Sequence, residues 1–271
     1  MFTDALFASL SQLGIFVGVV YIVGVLISLI NRFFYRSTGQ GRAVCLATGL
    51  IGTPIHELSH AAMCILFCHR ITDMKLYSPD ESNGILGYVN HSYNRRNPYQ
   101  VTGNYFIGVA PILAGTAFLY FLIRLLLPAA FTETEEYLAE FAGITASGFS
   151  SGLFSYFFAV IGGILKSLFT IDFGVKTVIF LAVCLCVSLH MNLSAADIRS
   201  SLGALPIIAV MLFAVNFILQ IVSEYACFAF RSFLTKAGCY MVAMLALSLA
   251  FSAMILILGI VVRAITSVFK R

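Results

Sequence analysis

The chain has 271 residues, of which 60% are hydrophobic and 10% charged, with a net charge of +4 and a mean hydropathy of +0.97. Soluble domains are about a quarter charged, so this composition excludes a water-soluble enzyme, and the lack of a clustered Lys/Arg run argues against a nucleic-acid partner. What remains is an all-α polytopic membrane protein, a single integral domain over residues 1–271 embedded in a lipid bilayer. About six transmembrane helices are expected, because apolar stretches recur near the ~20 residues that cross a bilayer.

The first expected span covers residues 6–34. No basic residue precedes its core, it is too long for a signal h-region and it has no clear A-x-A site, so it reads as a retained anchor. The second, residues 43–68, contains His56-Glu57-Leu58-Ser59-His60, an H-E-x-x-H motif. On a helix turning about 100° per residue, positions i and i+4 lie about 40° apart and one turn up the axis. Two imidazoles so placed can reach one ion about 2.0–2.1 Å away. Glu57 then projects beside the ion, where a general base stands. An incidental motif would favour polar loops; two histidines and a carboxylate among Ala, Ile, Leu and Cys are costly without a metal or a partner. Thr53-Pro54 reads as a helix restart just before the motif.

A polar insert, residues 69–103, lies between the second and third spans. Ser78-Pro79-Asp80-Glu81-Ser82-Asn83-Gly84 has turn chemistry, and the flanking stretches 74–78 and 85–93 read as a β-hairpin. The strand around Ile85, Gly87 and Val89 offers an edge on which an extended substrate segment can pair. The third span is residues 104–127. After it, residues 129–150 form an acidic loop in which Glu133, Glu135, Glu136 and Glu140 suit a solvated loop or surface helix. An apolar piece at 152–169 is either a further crossing or a re-entrant segment, and the remaining spans are 175–190, 205–222 and 238–265. The basic residues Arg263, Lys270 and Arg271 favour a cytoplasmic C-terminus. Seven cysteines, mostly in apolar spans and odd in number, argue against a disulfide scaffold; Cys64 and Cys68 share a face with His60, for which packing is the simpler role.

A catalytic zinc takes three protein ligands, so one more must come from elsewhere in the chain. Met63 and Leu66 occupy the positions at which the extended motif would carry its Gly and third His, which excludes that motif. Asp197, placed between two spans where an acidic group can face a protein-lined cavity, is the leading candidate; helix N-capping is its ordinary alternative. Glu81, His190, Asp172 and Glu224 stand behind it.

Thr53-Pro54-Ile55-His56-Glu57-Leu58-Ser59-His60, the hairpin-like insert, Gly108-Val109-Ala110-Pro111 and the stretch from Asn192 to Asp197 together resemble the site-2 protease group of intramembrane metalloproteases. The resemblance covers roughly the second to fifth spans. It implies Zn2+ held by His56, His60 and Asp197, Glu57 as catalytic base, Asn192 orienting the substrate or stabilising the oxyanion, and cleavage of a membrane-anchored protein. The chain departs from the family's late motif in having no Pro between Asn192 and Asp197 and in following Asp197 with Ile198. The expected function is a zinc metalloendopeptidase of the cell membrane. A catalytically dead membrane scaffold and an ion transporter lined by His56, Glu57 and His60 are the alternatives; oligomeric state is left open.

Overall fold

The computed structural model describes residues 1–38, 41–79, 85–146 and 174–269, together with Ala159, Gly162, Gly163, Lys166 and Ser167. Its helices are α1 (Phe2–Leu13), α2 (Val19–Thr38), α3 (Gly41–Leu66), α4 (Pro98–Leu126), α5 (Pro128–Ala146), α6 (Val175–Leu189), α7 (Ala195–Val222) and α8 (Glu224–Phe269). A π-helical turn, Gly14–Gly18, joins α1 to α2. The wider π turn frees a carbonyl, and the Tyr105 hydroxyl of α4 donates to that of Phe16.

Among the described residues four stretches are long and apolar enough to cross a membrane: Phe2–Arg36, Pro98–Leu126, Ala195–Val222 and Met244–Val268. The other two expected spans form helices that fall short for different reasons. α6 is apolar but has only 15 residues, about 22 Å at 1.5 Å per residue, against a hydrocarbon core of about 30 Å. α3 is long enough, at 26 residues. Its apolarity is diluted by Thr48, Thr53, Pro54, His56, Glu57, Ser59 and His60, the residues that build the site. The helix restart expected at Thr53-Pro54 does not occur, because α3 runs unbroken through Pro54. Packing on α4 and α6 offsets the lost backbone hydrogen bond, a cost of about 3 kcal/mol in an isolated helix.

The acidic segment is a helix rather than a loop. Pro128 suits a first helical position, the Ala and Glu residues after it favour helix, and α5 packs on α8 and on α4, where Glu135 accepts from the Tyr120 hydroxyl of α4. Most of the 152–169 piece, Asp172 and Glu81 lie outside the described residues.

The insert folds as the expected antiparallel pair, β1 (Arg70–Lys75) and β2 (Tyr88–Ser92), but its first strand begins earlier than expected. The cause is the end of α3. Cys68 N–H bonds the Ile65 carbonyl, His69 N–H bonds the Cys64 carbonyl, and Cys68 has φ 57°, a Schellman turn that sends the chain directly into β1. The second strand is shorter than expected: Ile85 and Gly87 precede β2 and lie outside it, although Ser78 N–H donates to the Leu86 carbonyl.

α4 is the central element, packed against α3, α6, α7 and α8. Its Val109, Ile112, Leu119 and Ile123 are fully or almost fully buried and join Val187 and Met191 in one apolar core. Two glycines bring helices close enough to assemble a site. A Cβ on Gly52 of α3 would lie 2.2 Å from the Cys186 carbonyl oxygen of α6, and one on Gly108 of α4 would lie 2.6 Å from the Asp197 carbonyl oxygen of α7. Both contacts are with backbone, which cannot rotate aside.

Candidate metal centre

α3 brings His56 and His60 onto one face, with ring centroids 4.8 Å apart and their Nε2 atoms 3.1 Å apart. The other nitrogen of each ring is already committed. His56 Nδ1–H donates to the His190 carbonyl at 2.7 Å, and His60 Nδ1–H donates to the Ile107 carbonyl at 2.7 Å. A carbonyl oxygen only accepts, so in each neutral ring Nδ1 carries the proton and Nε2 carries the lone pair. Two lone pairs facing each other at 3.1 Å repel unless a cation lies between them. Backbone carbonyls on the remote nitrogens are also what orients metal-binding histidines.

Asp197 supplies the third donor. Its Oδ1 is 3.6 Å from His60 Nε2, too long for a hydrogen bond, and all three ligand atoms lie within 4.8 Å of one another. Two nitrogens on one tetrahedral ion at about 2.05 Å would be separated by about 3.3 Å, so the observed spacings suit a shared cation. The capping role and the site role coexist in this side chain. Ser194 is the N-cap of α7, its hydroxyl accepting from Asp197 N–H at 3.1 Å while Ser194 N–H donates to Asp197 Oδ2 at 3.0 Å. One carboxylate oxygen is thus fixed by the capping box, and the other is turned toward the imidazoles.

The loop between α6 and α7 holds this arrangement from behind. Buried Asn31 of α2 donates to the carbonyls of Ser188 (2.9 Å) and Leu189 (3.3 Å) and to Asn192 Oδ1 (2.9 Å). Asn192 in turn donates to the Leu189 carbonyl, so its amide braces the loop and is not one of the three converging groups. His190 contributes its carbonyl to His56; its ring packs over Gly52 and contacts Thr48 Oγ1 at 3.0 Å and Thr53 Oγ1 at 3.5 Å, away from the ligand cluster. Glu224 begins α8 and is not a member of that cluster either.

Glu57 is buried at 7% exposure, and the segment just before β2 lies over it: a Cβ on Gly87 would sit 2.9 Å from Glu57 Cγ and 2.8 Å from the Lys75 carbonyl oxygen. Gly87 lets that backbone run against α3, with Leu86 against Gly49 and Val89 already in β2. Ile85 is 45% exposed, at the outer end of the same segment.

No family model, curated protein or solved structure matches the chain. The function is therefore read from these side chains. His56, His60 and Asp197, each singled out in the sequence, come together; Asn31, the Ile107 carbonyl and Gly52 carry no motif and emerge only when the helices are packed, and Gly108, part of the Gly108–Pro111 stretch, shows its close approach to α7 only then. Gly52→Ala is expected to push α6 away from α3 and break the His56–His190 bond. Overpacking of this kind costs about 1–3 kcal/mol, and the measurable results are a lowered midpoint of thermal unfolding in detergent and weaker metal retention.

Proposed function

We propose that this protein is an intramembrane zinc metallopeptidase, hydrolysing peptide bonds of membrane-anchored proteins within or at the edge of a cell membrane. The observation that carries the reading is the convergence of His56 and His60, both with Nε2 lone pairs free for an ion, on the unoccupied oxygen of Asp197, with Glu57 buried on the same helix. The likeness of the motif and its surroundings to the site-2 protease group supports it.

Two imidazoles and one carboxylate form a donor set suited to zinc. Bound there, the ion would polarise a scissile carbonyl and acidify a water molecule. The remaining steps belong to the chain's own residues. The Glu57 carboxylate accepts a proton from the attacking water and returns it to the leaving amine as the peptide bond breaks. The carbonyls of His190 and Ile107 keep both imidazoles in the ligating tautomer throughout. A helical substrate has its backbone groups paired internally, so a segment must unwind before it can be cut. The edge of β2 at Val89, with Ile85 and Gly87 leading into it and Gly87 beside Glu57, offers that segment new backbone partners. Val89→Pro is expected to reduce cleavage at least tenfold with metal content unchanged; undiminished cleavage would remove strand addition from the mechanism.

The test is a comparison of membrane proteomes from cells carrying the wild-type chain and Glu57→Gln. Fragments whose new termini lie in or beside a membrane span should arise only with the wild type. Identical fragment sets would overturn the proposal.

A further inference from the structure

A second group of side chains of metal-ligating type lies one helical turn beyond His60. Cys64, His69 and His91 place their ligand atoms within 4.8 Å of one another, with Cys64 and His69 buried. The fold brings them there by two independent routes. In a Schellman turn the residue two beyond the helix end closes back over the helix's last full turn, a contact normally made by two apolar side chains. Here those positions are Cys64 and His69, joined by the His69 N–H to Cys64 carbonyl bond of 2.8 Å. The residue between, Cys68, has φ 57°, where glycine would be free of strain. The hairpin delivers the third group. His91 pairs with Ile71 next to the register irregularity between Ile71 and Asp73, and the partly buried Val89 and His91 alternate with exposed Asn90 and Ser92. An irregularity of this type redirects side chains at a sheet edge.

The protonation pattern suits a metal as well. His69 Nε2–H donates to the Gln100 carbonyl at 2.7 Å, which leaves the lone pair of the neutral ring on Nδ1, 3.0 Å from His91 Nδ1. The His69 ring is fixed from behind, stacked on Tyr93 at 4.9 Å and 14°. Gln100 ties the turn together, donating to the Cys68 carbonyl and accepting from Asn94 N–H. Without a metal the two rings would share one ordinary hydrogen bond and Cys64 would serve as packing.

We propose that Cys64, His69 and His91 form a second, structural metal site for a zinc-class divalent ion, separate from the His56–His60–Asp197 centre. One thiolate and two imidazoles are a donor set of the kind that selects such ions. The ion would staple the hairpin to the end of α3 and so hold Gly87 and the segment around it against Glu57. The inference does not depend on the chain being a peptidase.

The two centres differ in ligand chemistry, which makes them separable on the full-length chain purified in detergent and loaded with Co2+ alone. Only a site containing sulfur gives a near-ultraviolet thiolate-to-cobalt charge-transfer band. The wild type should bind about two equivalents and show the band, and His56→Ala/His60→Ala about one with the band kept. Cys64→Ser should bind about one without it, as should His91→Ala, a second variant that spares helix α3. Chelation should raise deuterium uptake across β1 and β2 at least twofold in the wild type and leave Cys64→Ser unchanged. A band that persists in both Cys64→Ser and His91→Ala, or its absence from the wild type and from His56→Ala/His60→Ala alike, would overturn the second site without touching the first.

Discussion

Glu57→Gln should retain the wild-type metal content and lose cleavage by about 10²–10⁴-fold, the range that a positioned general base contributes. The substitution keeps the shape of the side chain and its packing beneath Gly87, but an amide cannot take up the proton of an attacking water. Neither imidazole depends on Glu57 for orientation, since both Nδ1–H groups are held by the carbonyls of His190 and Ile107. Metal content is read by elemental analysis and cleavage by the fragments found in membranes. Loss of metal together with activity would make Glu57 a ligand rather than a base.

Asp197→Ala has the second large effect, on metal affinity. Partners that merely orient ligands are worth about 10–100-fold in affinity, so removing a ligand itself should cost more than about 100-fold. The variant also deletes half of a capping box, and a control is needed. Ser194→Ala removes the cap, at about 0.5–2 kcal/mol of helix stability, yet leaves Oδ1 facing His60 at the site. Ser194→Ala should therefore keep its metal and Asp197→Ala lose it, while Glu81→Ala, between β1 and β2 in sequence, keeps it. Equal loss from Ser194→Ala and Asp197→Ala would reduce Asp197 to a helix cap.

The sequence was informative where function depends on spacing within one helix. His56 and His60 share a face because they are four residues apart, and no tertiary contact is needed to say so. Asp197 was legible for a weaker reason: an acidic group between two apolar stretches needs an explanation. Its double use was not, because whether a carboxylate caps a helix or faces a site depends on how closely α7 approaches α4, and Gly108 sets that distance. Asn31 was invisible for the same cause. An asparagine in an apolar helix gives no sign that it will bond the end of α6, 157 residues away in sequence. Among the described residues four of the six expected spans are long and apolar enough to cross; α3 is not among them because the polarity of its candidate site lowers its apolar character, and α6 because it ends before it reaches crossing length.

The most direct measurement is X-ray absorption at the zinc edge on full-length Cys64→Ser protein purified in detergent, a variant chosen so that one class of site remains. The expected spectrum has only nitrogen and oxygen neighbours at about 2.0–2.1 Å, with outer-shell scattering from two imidazoles, and it vanishes in His60→Ala made in the same background. Protein that retains no zinc, or whose zinc has no imidazole neighbours and persists in His60→Ala, would contradict a metal ion shared by His56, His60 and Asp197.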